Sequence, residues 1–107
     1  AESSVLIRGR VTKAREIQSK RFEDFDHIHY NAQMSTKQIR TYCALDEVSL
    51  QLLKTAMERL GLSARAYDRI LKVARTIADL DSSQNIQTNH IAEAIQYRSL
   101  DREGWAG

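Results

Sequence analysis

Apolar residues recur at helical spacing along most of this chain, and the pattern predicts five helices and no sheet. The broadest pattern lies in residues 62–80, where two adjacent apolar rows form one wide face of a fourth helix. Signals for strands and tight turns are scarce, because the 107 residues include no proline and only four glycines. We therefore predict an all-α fold, a small bundle of four to five helices. One row holds Ala66, Ile70, Val73 and Ile77, and the other holds Tyr67, Leu71, Ala74 and Ala78.

Capping residues predict where these helices begin and end. A first helix follows a serine at position 3 or 4 and ends near residue 22, with a narrow apolar stripe. Residues 22–33 have no clear period and are interpreted as a connector. Ser35 and Gln38 form a capping box for a short second helix that ends near residue 44. The later helices have predicted N-caps at Asp46, Ser63 and Thr88, and Gly61 closes the third. The narrow stripe of the first helix indicates that this helix lies against something other than the rest of this domain. The apolar residues at helical spacing are Ile7, Val11 and Ala14 in the first helix and Val48, Leu52, Leu53, Ala56 and Leu60 in the third, and those predicted to face inward in the fifth are Ile91, Ala94 and Ile95.

The face of the fourth helix opposite its apolar rows carries two pairs of opposite charge. Asp68 and Lys72 are four residues apart, as are Arg75 and Asp79. Such pairs stabilise an exposed helix by about 0.2–0.5 kcal/mol each. We expect all four charges to lie on a solvated surface, where they need no functional explanation.

Composition places the chain among globular proteins, with 42% hydrophobic and 28% charged residues. No apolar run approaches the roughly 20 residues that span a bilayer, and no signal-peptide pattern opens the sequence. We expect a cytoplasmic protein with no membrane partner. The single cysteine, Cys43, has no internal disulfide partner and is predicted to be a small buried apolar residue.

The formal net charge of +2 hides a basic segment. Residues 8–21 contain six Lys and Arg residues and one Glu, so this segment carries a charge of +5. Such a segment is a candidate for contact with nucleic acid or an acidic partner. The alternative, a solvated helix face, is equally compatible with the sequence. The candidate contact residues are Arg8, Arg10, Lys13 and Arg15.

Arg65 occupies the second position of the predicted fourth helix, where a cation opposes the helix dipole at a cost of about 0.3–1 kcal/mol. Exposed backbone N–H groups, the Ser63 cap and an arginine together suggest an anion site. Without other information, an incidental exposed arginine remains the alternative.

Several kinds of chemistry are not supported by the sequence. A phosphate-binding P-loop needs closely spaced glycines, and those at positions 9, 61, 104 and 107 cannot supply it, so we expect no ATP hydrolysis by this chain alone. The Asp46–Glu47 pair after an apolar run resembles a magnesium-binding motif, but Asp46 is better explained as a cap. His27 and His29 lack further ligands, and His90 is expected to be half-exposed, so we predict neither a metal site nor catalytic residues in isolation.

Residues 60–73 also resemble a helix-turn-helix, with Gly61 in the turn and the fourth helix reading the DNA major groove. A recognition helix is short and exposes its first residues. The apolar rows here extend past the middle of the helix, which favours an interior position and makes a nucleic-acid-binding domain the second hypothesis.

A more specific resemblance comes from the blocks SARAY, ARTIADL and EAIQYR, in that order, preceded by IRGRVTKAREIQSKRF and NAQMS. Together they resemble the C-terminal region of magnesium-chelatase-like AAA+ ATPases of the competence-protein type, over nearly the whole chain. The resemblance implies a helical lid, residues 31–103, that closes over ATP and Mg²⁺ bound mainly by a core domain outside this chain. Residues 1–30 would then be a linking helix and connector, and 104–107 a disordered tail.

The resemblance also implies roles for individual residues. Arg65 would be the sensor-2 arginine that contacts the terminal phosphates of ATP, with Ser63 and Arg69 beside it. Arg69 and Arg75 would contribute at a boundary with neighbouring subunits of a hexameric ring, although helix pairing explains Arg75 equally well. The whole protein would be an ATPase acting in DNA processing, with DNA as a further partner, while the fragment alone would bind no nucleotide.

Overall fold

The computed structural model describes the backbone of residues 3–100 and the side chains of residues 3–97. Its elements are α1 (Ser4–Arg21), a 3₁₀ turn (Asn31–Gln33), α2 (Thr36–Tyr42), α3 (Glu47–Leu60), α4 (Ala64–Leu80) and α5 (Thr88–Leu100). No strand occurs within residues 3–100, so the predicted all-α fold is confirmed. The domain boundary at residue 30 remains a prediction, and the predicted tail lies outside the described residues.

Most of the predicted helix ends are confirmed by hydrogen bonds. The Ser3, Asp46 and Ser63 side chains accept the N–H of the residue three positions later, at 3.3, 2.8 and 3.2 Å. Gln38 Oε1 accepts the Ser35 N–H at 2.9 Å, which completes the capping box. Gly61 adopts the left-handed conformation, φ 60°, that a side chain would strain.

The predicted cap of α5 is wrong by one position. Thr88 is the first helical residue, and its hydroxyl lies 2.9 Å from Ser49 Oγ on α3. The His90 ring supplies the local bond, since its Nδ1 accepts the Gln87 N–H at 2.8 Å. Thr88 therefore joins two helices, a role that local capping patterns do not reveal.

Helix α4 is central to the bundle and packs against α1, α2, α5 and the 3₁₀ turn, while α3 packs against α5. The predicted apolar face of α4 is largely confirmed, although Val73 is exposed. Val48 on α3 is also exposed, because the neighbouring Ser49 and Leu53 face the interior instead. The apolar core comprises Phe22, Met34, Ile39, Cys43, Leu53, Ile70, Leu71, Ala74, Ala78, Ile86, Ile91 and Ala94.

Helix α1 is supported by the domain only along its second half. Ala14 and Gln18 are buried, and Phe22 just after the helix lies in the core. The exposed fractions of Val5 and Leu6 are 72% and 60%. Of the predicted stripe, Ile7 is exposed, Val11 is half-buried and Ala14 is buried, so the expectation that this helix lies off the domain holds only for its first turns. Within the part of the chain that the structure describes, none of the helices combines the length and apolarity needed to cross a membrane.

Candidate anion site and the buried cluster behind it

Arg65 lies in the first turn of α4, and its side chain is exposed. The Ser63 hydroxyl beneath it accepts the N–H of Ala66. Among residues 3–97, no hydrogen bond or ion pair engages the Arg65 guanidinium, and the N–H groups of Ala64 and Arg65 have no acceptor. The first turn of α4 therefore combines an exposed arginine with two backbone donors that have no acceptor in this part of the chain, a combination that suits an anion.

Arg69 lies one turn after Arg65 and is also exposed. It lines a groove of about 490 Å³ formed by α4 with Ala32 of the 3₁₀ turn and Tyr97 of α5. The rest of the lining is mainly apolar and includes Val73, Leu80 and Tyr97. The structure thus places the predicted Ser63 at the N-cap of α4 and Arg65 and Arg69 on the first two turns of that helix.

The predicted Asp68–Lys72 ion pair is wrong. Lys72 Nζ instead donates to the Ala32 carbonyl oxygen, at 3.0 Å. The 3₁₀ turn packs against α4 and presents this carbonyl to the lysine, so the ammonium finds a partner outside its own helix. The helical spacing alone could not show this contact.

The Arg75–Asp79 pair does form, but its predicted exposure is wrong. Arg75 Nη2 lies 3.1 Å from Asp79 Oδ1, and the two residues are only 4% and 1% exposed. The second half of α1 and the connector after it cover this part of α4, so a pair expected in solvent is interior. Asp79 is consequently a buried carboxylate that requires compensation.

Arg21 and Asn31 complete a cluster around Asp79 that sequence reasoning missed. The Arg21 guanidinium donates to both Asp79 carboxylate oxygens at 2.8 Å and to Asn31 Oδ1 at 2.9 Å. Asn31 Nδ2 donates to Asp79 Oδ2 at 2.8 Å and to Thr76 Oγ1 at 3.1 Å. Arg21 also lies 5.9 Å from the ring centroids of Phe22 and Tyr42.

The remaining donors of Arg75 reach backbone carbonyls. They contact the oxygens of Ser83, Gln84 and Tyr42 at 2.8, 3.0 and 3.4 Å, tying the end of α2 to the α4–α5 loop. Burial lowers the pKa of Arg75 from its ordinary value, and the Asp79 carboxylate opposes that change. Because Arg75 is enclosed by these contacts, the predicted contribution at a subunit boundary is not supported.

Cys43 and His90 are both interior side chains. Burial raises the pKa of the Cys43 thiol to about 11, which keeps it protonated and unreactive, as predicted. His90 is 1% exposed, so its predicted half-exposure is wrong. Its Nε2 lies 2.9 Å from Asp81 Oδ2 while Nδ1 accepts a backbone N–H, which favours the tautomer protonated at Nε2.

His27 and His29 are exposed, and no group of three or more His, Cys, Asp or Glu side chains within the described residues is arranged to hold a metal ion. The basic candidates on α1 are exposed as well. Arg21, the last cation of the +5 segment, instead belongs to the buried cluster. The exposed candidates are Arg8, Arg10, Lys13 and Arg15.

These features define a helical domain with an open, basic helix start, and comparison with known proteins gives its family. The chain belongs to the family described as magnesium chelatase, subunit ChlI C-terminal, whose model matches residues 1–98. It is the C-terminal domain of a ComM-type magnesium-chelatase-like protein, and this assignment supports a lid domain of an AAA+ family member.

Individual relatives agree with the family assignment. The chain is 45% identical over 101 residues to competence protein ComM of Haemophilus influenzae and 44% identical to the uncharacterized protein YifB of Escherichia coli K12. It is 32% identical over 97 residues to the uncharacterized protein Rv2897c of Mycobacterium tuberculosis. These alignments cover 94%, 94% and 91% of this chain but only 19% of each relative, so the chain spans about a fifth of their length.

Proposed function

We propose that this domain is the lid of a ring-forming AAA+ ATPase and that Arg65 is its sensor-2 residue, contacting the terminal phosphates of ATP. ATP and Mg²⁺ would be held mainly by a core domain outside this chain. The domain itself would bring a cation to that site and report hydrolysis through its own movement. The carrying observation is the solvent-facing Arg65 guanidinium beside two open backbone donors.

The helix dipole explains why such an arginine fits a phosphate. A cation at the first turn of α4 is disfavoured while the domain is alone. A phosphate placed there would accept charge-assisted hydrogen bonds from the guanidinium and be favoured by the same dipole. Ser63 would contribute by holding the first turn in shape, because its hydroxyl is already bonded to the Ala66 N–H.

Arg69 would support this site from the next turn. Its exposed position on the same face places a second positive charge behind Arg65. Within a water-poor closed site, a guanidinium that stabilises the transferring phosphoryl group can increase turnover by about 10³-fold or more. We assign the direct contact to Arg65 and an electrostatic contribution to Arg69.

The test is Arg65→Ala in the full-length protein. We expect ATP turnover to fall by about 10²-fold or more, because the phosphate loses its cation while no hydrogen bond or ion pair among residues 3–97 is lost. Steady-state ATP hydrolysis gives kcat and KM, and thermal unfolding gives stability. Arg65→Lys should recover part of the loss, since lysine keeps the charge without the guanidinium geometry.

Arg40→Ala is the matched control, because Arg40 is another exposed arginine near a helix end but lies on α2. Its turnover should stay within about twofold of the parent, the scale of a surface substitution. If Arg65→Ala and Arg40→Ala hydrolyse ATP equally well, Arg65 is not the sensor-2 residue.

The whole protein's role is a separate part of the proposal. The Haemophilus relative is named a competence protein. By the family resemblance, the ATPase would serve DNA processing in the cytoplasm. Its further partners would be neighbouring subunits of a hexameric ring. Arg8, Arg10, Lys13 and Arg15, which are exposed on α1, would contact DNA or the core domain. The helix-turn-helix alternative is less favoured, because much of α4 is interior.

A further inference from the structure

The attachment of α1 to the rest of the domain is concentrated at one end. Helix α4 is the principal helix against which α1 packs, and the buried residues of α1 are Ala14 and Gln18. Immediately after them come Arg21 and the core residue Phe22. At 1.5 Å per residue, the helix extends about 25 Å from Arg21 back to its first residue.

The contacts at that end fix direction as well as position. Phe22 packs edge-on against Phe25 and Tyr42, an apolar contact that tolerates small rotations. The Arg21–Asp79 contact is different, because two parallel N–H···O bonds of 2.8 Å hold two planar groups in one orientation. Gln18 adds a third point, since its Oε1 accepts the Asn31 N–H at 3.0 Å.

Asp79 lies near the C-terminal end of α4, and Arg65 lies at the opposite end. Their separation of fourteen residues corresponds to about 21 Å of helix. Because α4 is joined to α1 at Asp79, any rotation of α1 also moves the first turn of α4, where Arg65 lies.

We infer that Arg21 and Asp79 are positioning residues whose buried double hydrogen bond locks α1 and α4 into one rigid arm, so that displacement of α1 moves Arg65 with it. The rigid arm follows from the contacts of this domain alone. Its effect on ATP turnover rests on the proposed function of Arg65. The two parts can be tested separately.

The rigid arm can be measured in this chain with spin labels at Arg8→Cys on α1 and Ala64→Cys on α4, both exposed, in a Cys43→Ala background. Pulsed electron paramagnetic resonance then gives the distribution of distances between the labels. We expect one narrow distribution in the parent and a broadened one after Arg21→Met. That substitution leaves the Arg75–Asp79 pair in place, so the carboxylate keeps a partner.

Lys20→Met is the matched control, because it removes the adjacent, exposed cation from the same helix and should leave the distribution narrow. Circular dichroism must show equal helix content in all variants. If Arg21→Met does not fold, Arg21→Lys provides the test, since it keeps the charge but loses the forked geometry. An unchanged narrow distribution in a folded Arg21 variant would overturn the inference.

A second measurement uses the full-length protein. With Arg21→Met, kcat for ATP hydrolysis should fall at least about fivefold, which is the smallest change typical of two energetically coupled sites. Thermal unfolding of the same variant shows how much stability is lost. A less stable Arg21→Lys protein with normal kcat would show that Arg21 only stabilises the fold. Failure of Arg65→Ala to affect turnover would remove the proposed function but leave the distance result intact.

Discussion

One carboxylate, that of Asp79, compensates two interior guanidiniums. Arg21 approaches it from α1, and Arg75 approaches it from the preceding turn of the same helix. The cluster therefore holds two positive charges and one negative charge. The surplus is tolerated because three backbone carbonyls accept the remaining donors of Arg75.

Asp79→Asn should destabilise the domain strongly. Without the negative charge, two buried arginines repel each other, and breaking a buried ion pair in this way typically costs about 3–5 kcal/mol. Urea unfolding followed by circular dichroism gives the difference in unfolding free energy. Glu93→Gln, a neutralised carboxylate at an exposed position on α5, should change it by less than about 0.5 kcal/mol. Equal midpoints for the two variants would contradict the proposed role of Asp79.

Sequence reasoning failed at this cluster for a physical reason. The spacing of Arg75 and Asp79 correctly predicted their pairing, but a period of polar residues does not show what covers them. Arg21 and Asp79 are 58 positions apart, and Gln18 completes the buried stripe of α1 with a polar side chain. If polar residues are assumed to face solvent, contacts between buried polar side chains cannot be predicted from the sequence. The exposed Arg65 was located from local features, and its role remains a prediction.

At the scale of single elements, prediction succeeded where the determining contact is local. Asp46, Ser63 and Gly61 act within three or four residues of their own positions, so their roles follow from the sequence nearby. The exceptions involve a second helix. Thr88 bonds to α3, and the orientation of α3 turns Val48 outward. Which apolar residue of a helix faces the core thus depends on its neighbours.

The cap of α3 predicts a pH dependence. The backbone N–H of Ser49, with its side chain, lowers the pKa of Asp46 from its ordinary value. A carboxyl whose pKa is lower in the folded state stabilises the fold above its unfolded pKa of about 4, and this contribution disappears as the pH falls through the folded pKa. Asp46→Ala should therefore lower the urea midpoint at pH 7 and have a much smaller effect at pH 2.

Ser63→Ala provides the comparison, because it removes a neutral cap of similar geometry from α4. Its effect on the urea midpoint should be nearly the same at both pH values. If the Asp46→Ala effect is also unchanged by acid, the ionised carboxylate is not the source of the stabilisation.

At the scale of the whole molecule, the first half of α1 is largely exposed, and its second half packs against the rest of the domain. The buried residues of this helix begin at Ala14. Removing residues 1–13 should therefore change the unfolding free energy by no more than about 1 kcal/mol. Removing residues 1–22 also deletes Arg21 and Phe22 and should cost more than about 3 kcal/mol.

Urea unfolding of both shortened chains tests this difference. The slope of the free energy with urea should remain close to the parent value for the shorter deletion, because little buried surface is lost. Equal stability of the two shortened chains would mean that Arg21 and Phe22 do not stabilise the domain. The domain would then begin after residue 22, in agreement with the predicted boundary at residue 30.

The sharing of one anion by two arginines also limits how this domain can be redesigned. Neutralising Asp79 leaves both Arg21 and Arg75 without a counter-charge, whereas replacing Arg21 alone leaves the Arg75–Asp79 ion pair, whose net charge is zero. If Arg75 and Asp79 were copied onto another helical scaffold without Arg21, Arg75 could still bind the carbonyls of the loop after its helix. The angle between that helix and the one equivalent to α1 would not be fixed. Positions 21, 75 and 79 are therefore a single unit for transplantation, although they lie in two separate stretches of the chain.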